Sequence, residues 1–66
     1  MIRVNGDEMP WRGGMSVQDV LDAKNFTFRM IAVWINDKPV ERSEGYSVAL
    51  VPDGANVEVI HMISGG

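Results

Sequence analysis

The sequence predicts an α+β fold, a mixed sheet with a single helix packed across one of its faces. Three observations lead there. Only one stretch shows helical spacing, with Val17, Val20 and Leu21 at i, i+3 and i+4 behind the capping residue Ser16. A hairpin signal, Asn5-Gly6, stands before that helix, and only strand-like segments follow it. With 66 residues the chain makes one domain with a modest core, because a domain this small buries only about 60% of the surface that its unfolded chain exposes.

In order along the chain, Ile2-Arg3-Val4-Asn5 alternates apolar and polar residues, the mark of a half-buried strand with Ile2 and Val4 inward. Asn5, Gly6 and Asp7 form a tight turn, since Asn and Gly accept positive φ. Met9-Pro10-Trp11-Arg12 is the expected return strand. Pro10 lacks an N–H, so that strand is short or lies at a sheet edge. Gly13-Gly14 ends it. Ser16 can cap the N–H of Asp19, a capping box with Asp in the place usually held by Glu. Asp19 and Asp22 sit favourably near the positive end of the helix dipole, and the helix is expected to end near Lys24-Asn25.

Residues 26–30 are read as a connector whose two aromatics, Phe26 and Phe28, plug one end of the core. Ile31 to Asn36 is strongly β-prone. Asn36-Asp37-Lys38 turns the chain, and Pro39-Val40 is a very short strand. Glu41 to Gly45 reads as a polar loop, and Tyr46 to Val51 as a further extended stretch. Pro52-Asp53-Gly54 is expected to turn with Pro at the second position. Asn56 to Ile63 is the last strand. Residues 1–63 thus form the domain, and residues 64–66 a flexible C-terminal tail.

Composition narrows the function. Hydrophobic residues at 45% and charged residues at 23% suit a soluble globular domain. No apolar run approaches the roughly 18 residues of a membrane span, and the N-terminus has no signal-peptide pattern. The absence of cysteine excludes disulfides, thiolate nucleophiles and cysteine–metal sites, and with no secretion signal it points to the cytoplasm. The net charge is −3. Arg3, Arg12, Lys24, Arg29, Lys38 and Arg42 are scattered singly, so neither nucleic acid nor a membrane is an expected partner.

No catalytic constellation emerges. His61 is the only histidine, and a packing or surface role suits it. The carboxylates lack the spacing of a metal cage or an acid–base pair. Gly13-Gly14 is too short for a phosphate loop. The expectation is a protein that is not an enzyme and binds no metal or cofactor. Its chemistry is expected at its end. Ser64, Gly65 and Gly66 make a slim tail, and the terminal carboxylate, with a usual pKa of about 3.3–3.7, is ionised. At about 3.3–3.6 Å per residue these three residues can reach roughly 10 Å from the fold.

Strand parity adds a surface. If Glu58 faces water, Val57 and Val59 face the helix, and Ile60 and Met62 share the outer face. If Val33 and Ile35 point inward, Trp34 points outward. Trp34, Ile60 and Met62 are therefore the expected partner-binding patch, an exposed apolar group centred on the residue type most enriched at interface centres.

This order of elements, the helix opening Ser16-Val17-Gln18-Asp19-Val20-Leu21, the turn at Asp53-Gly54 and the terminal Gly65-Gly66 resemble the ubiquitin-like, β-grasp sulfur carriers. The likeness covers the whole chain and is greatest to the sulfur carriers of thiamine biosynthesis. Their Ile-Asn strand end and Val-Pro-Arg-Ser run have counterparts in Ile35-Asn36 and Val40-Glu41-Arg42-Ser43. Glu41 stands where proline is usual, and Ala55 where a second acid follows the Asp-Gly turn.

The resemblance implies that an ATP- and Mg-dependent adenylyltransferase activates the Gly66 carboxylate. A cysteine desulfurase or rhodanese-type protein then supplies sulfur. The resulting Gly66 thiocarboxylate goes to a thiazole synthase. The related sulfur carriers of molybdopterin synthesis, and ubiquitin-like modifiers joined to target lysines through the same glycine, are the alternatives.

Overall fold

In the computed structural model, which describes residues 1–26, 30–41, 43 and 45–61, five strands and one helix follow one another. They are β1 (Ile2–Val4), β2 (Asp7–Met9), α1 (Val17–Ala23), β3 (Ile31–Ile35), β4 (Lys38–Pro39) and β5 (Asn56–His61). The sheet order is β2-β1-β5-β3-β4. The first and last strands lie side by side and parallel, while the other pairs are antiparallel. This is the expected mixed sheet.

Both hairpins close on two-residue turns whose central residues have positive φ. Val4 pairs with Asp7 across Asn5 (φ 52°) and Gly6 (φ 88°), and Ile35 pairs with Lys38 across Asn36 (φ 50°) and Asp37 (φ 67°). Such turns carry the twist that antiparallel strands need. The return strand therefore begins at Asp7, not at Met9, and stops before Pro10, where an N–H for the ladder is lacking. Trp11 lies beyond the strand and donates its indole N–H to the Val51 carbonyl at 2.6 Å. The second hairpin likewise pairs Lys38–Pro39 rather than Pro39-Val40.

The helix is bounded as its sequence predicts. Ser16 Oγ accepts from the Asp19 N–H at 3.1 Å, and Asp19 Oδ2 accepts from the Ser16 N–H at 2.9 Å. At the other end Asn25 adopts φ 58°. The Phe26 N–H reaches back to the Leu21 carbonyl at 2.8 Å, and the Asn25 N–H to the Asp22 carbonyl at 3.1 Å. That pair of bonds around a left-handed residue is a Schellman stop. Phe26 is half-buried against the core; Phe28 lies outside the described residues.

Tyr46 to Val51 is not a strand. Residues 46–48 turn, and only Leu50 makes an isolated bridge, to Ser16. The reason lies in the helix, whose first N–H groups have no partner within it. The Ala49 carbonyl accepts from Val17 at 2.8 Å and the Tyr46 carbonyl from Gln18 at 3.0 Å, while the Val51 N–H donates to Met15 at 2.8 Å. The segment crosses the start of the helix and closes it. The following turn is displaced by one residue. The Ala55 N–H donates to the Pro52 carbonyl at 3.2 Å, so Pro52 opens the turn and Gly54, at φ 78°, is its third residue.

The core forms between helix and sheet. Ile2 and Val4, Val33, and Val57 and Val59 from the strands meet Val17, Val20 and Leu21 of the helix, all buried. Ala55, in place of an acid, is buried among them. At about 25 cal/mol per Å² of apolar area removed from water, burial of this small set is the main favourable term.

Candidate functional site

The face of the sheet away from the helix is where the strand alternation places the expected patch. Trp34 lies opposite Glu58, and Ala32 opposite Ile60, in the β3–β5 ladder; Trp34 also lies opposite Pro39 in β4. Directly opposed residues share a face. Trp34 and Ile60 are thus diagonal neighbours on the outer face, on the same side as Glu58. Ile60 is 48% exposed and Trp34 is half-buried. Val57 and Val59 face inward, as expected, and so do Val33 and, half-buried against the core, Ile35.

The outer face is divided along its length. Trp34, Ala32, Ile60 and Pro39 make its apolar part, on β3, β4 and the end of β5. Across β1 and β2 it is polar, with Arg3 and Glu8 opposite one another and their charged groups 3.9 Å apart. An open depression of about 550 Å³ lies at that polar end, lined by Met1, Ile2, Arg3, Glu8, Gly54, Ala55 and Asn56. Met62, Ser64, Gly65 and Gly66 lie outside the described residues, so the structure brings together two of the three patch residues. His61 pairs with Ile31, which puts it on the helix side of the sheet, exposed at its end.

The helix start offers no anion site. Val17 and Gln18 donate to backbone carbonyls, and Asp19 to the Ser16 hydroxyl. The Asp19 carboxyl, which accepts from the Ser16 backbone N–H at 2.9 Å, is held below the ordinary carboxylate range by that bond and by the Ser16 side chain, helped by Arg12, whose guanidinium is 3.9 Å from Asp19 Oδ2. Among the described residues no group of three or more His, Cys, Asp or Glu could hold a metal ion, and no helix is long and apolar enough to cross a membrane.

One apolar surface was not legible in the sequence. Val48 and Leu50 are 67% and 64% exposed. Read as a strand, residues 46–51 imply one buried face; folded across the helix start, they bury Val51 and leave these two outside.

The model of the ThiS family matches residues 2–66. Among solved structures, the fold is similar to the crystal structure of a thiamine biosynthesis protein (ThiS) from Geobacter metallireducens. The two are 28% identical, with a TM-score of 0.76, over 98% of this chain and 97% of that one.

Proposed function

The chain belongs to the ThiS family, and from that premise we propose that it is a sulfur carrier of thiamine biosynthesis, a co-substrate of partner enzymes rather than a catalyst. The observation that carries this reading is that the family match extends to residue 66 and so takes in Gly65-Gly66.

The chemistry follows from the carboxylate. An unactivated carboxylate is a poor acyl donor, because its oxygen is a poor leaving group. In the proposed cycle a Gly66 oxygen attacks the α-phosphorus of ATP in the adenylyltransferase, pyrophosphate leaves, and an acyl-adenylate forms. Mg²⁺ and ATP belong to that partner. Hydrosulfide attack on the acyl carbon then expels AMP and leaves the thiocarboxylate. With a persulfide donor the product is an acyl disulfide, and a thiol must cleave its S–S bond to release the same species. Thiazole synthase is the proposed acceptor. Gly65 and Ser64 serve access, since residues with little or no side chain pass through a narrow channel.

Trp34, Ile60 and Met62 are proposed as the patch that docks on the adenylyltransferase. Supporting this, Trp34 and Ile60 share the apolar part of the outer face. The test is intact mass after incubation with ATP, magnesium, sulfide and an adenylyltransferase. The expected gain is that of one oxygen replaced by sulfur, located at Gly66 by fragmentation. An unchanged mass with an adenylyltransferase that activates another carrier of this family overturns the proposal.

A further inference from the structure

The parallel pairing of β1 with β5 stops before β5 does. Arg3 pairs with Asn56 and Val4 with Val57, after which the chain turns away at Asn5-Gly6, whereas β5 runs on to His61. The next rung is made by a side chain. Asn5 Oδ1 accepts from the Val59 N–H at 2.8 Å, and Asn5 Nδ2 donates to the Val59 carbonyl at 3.1 Å. These follow the backbone bond from the Asn5 N–H to the Val57 carbonyl at 2.9 Å. A carboxamide carries the same acceptor and donor as a peptide unit, so it stands in for the residue that a longer β1 would supply. The two bonds also fix which end of the amide is oxygen, because the Val59 N–H can only donate and its carbonyl only accept. Asn suits the position twice over, since its backbone must also hold φ 52° in the hairpin.

We propose that Asn5 is a positioning residue for transfer at the tail. Its carboxamide holds Val59 in line, and with it the end of β5 from which Ile60 faces the outer surface and the chain continues beyond His61. This rests on the carrier reading of Gly66. A partner that recognises the outer face binds only conformers in which the end of β5 presents Ile60 beside Trp34. Its apparent affinity scales with the fraction of such conformers. Losing the clamp lowers that fraction without altering the acyl carbon, so binding weakens while the chemical step is unchanged.

Two variants test this. Asn5→Gly keeps the positive φ and removes the carboxamide. Asn5→Asp keeps the shape and the acceptor for the Val59 N–H, but its ionised carboxylate has no donor for the Val59 carbonyl. Each is titrated as substrate of the adenylyltransferase with pyrophosphate release as readout. Circular dichroism confirms that it is folded at the assay temperature, and amide hydrogen exchange is read residue by residue. The expected result is faster exchange at the end of β5 and a KM raised about tenfold, the factor equivalent to ~1.4 kcal/mol, with kcat unchanged. Unchanged KM in both folded variants overturns the proposal, as does a fall in kcat alone. Unchanged exchange at Val59 overturns the clamp itself. If the parent chain releases no pyrophosphate, the carrier reading fails and this proposal fails with it; a working parent with unaffected variants sinks this proposal alone.

Discussion

Ser16 and Asp19 satisfy each other's backbone N–H groups, and the sequence spacing was sufficient to predict it. Replacing Ser16 with Ala is expected to cost about 1 kcal/mol, read as a lower urea midpoint. Asp19 adds a pH dependence of known sign. Its carboxyl lies below the ordinary range in the folded state, so its stabilisation is complete above the unfolded value of about 3.9 and is lost as pH falls through the lowered one. Asp19→Asn should remove that acid-side component; urea midpoints taken at intervals from neutral pH down to about 2 would show it. Gly66→Ala carries the functional prediction at this scale. It should leave the melting temperature unchanged, since a chain end adds few native contacts, and cut the thiocarboxylate yield. Equal yields from variant and parent would exclude access to a narrow channel as the role of that glycine.

Individual elements were legible to the extent that their signals are local. The first hairpin's turn, the helix with both its ends, and the third strand were readable from residues within a turn or two of each other. Asn25 ends the helix because it tolerates a left-handed backbone. Asn25→Ala should destabilise by about 1 kcal/mol in urea unfolding, whereas Asn25→Gly should cost much less. Residues 46–51 depart from their strand-like pattern for a physical reason. Their composition is that of a strand, but their carbonyls meet the free N–H groups of α1 before any strand edge. The return strand runs over Asp7–Met9 and excludes Pro10, earlier than the sequence pattern suggests. A residue without an N–H more readily ends a short edge strand than lies within one.

At the scale of the molecule, the proposed docking patch makes neighbouring residues of β3 a test that separates folding from docking. Val33 is 2% exposed in the core, and Trp34 lies on the opposite face. Val33→Ala should lower stability by about 2 kcal/mol without changing KM for the adenylyltransferase. Trp34→Ala should raise that KM several-fold with a smaller effect on the melting temperature. A larger melting-temperature loss for Trp34→Ala than for Val33→Ala would place the tryptophan in the core and remove the patch.

By itself the sequence determined the class of the fold, the helix and its caps, the facing of β3 and β5, and the outward position of Trp34 and Ile60. Each of these depends on the chemistry of one residue and neighbours a few positions away, where periodicity alone sets the geometry. The tertiary structure decided that β1 and β5 lie together, that the 46–51 segment closes the helix, and that Asn5 completes a ladder 54 residues distant in sequence. Those outcomes turn on which unsatisfied donors and acceptors meet once the chain has collapsed, and no local pattern encodes such a meeting.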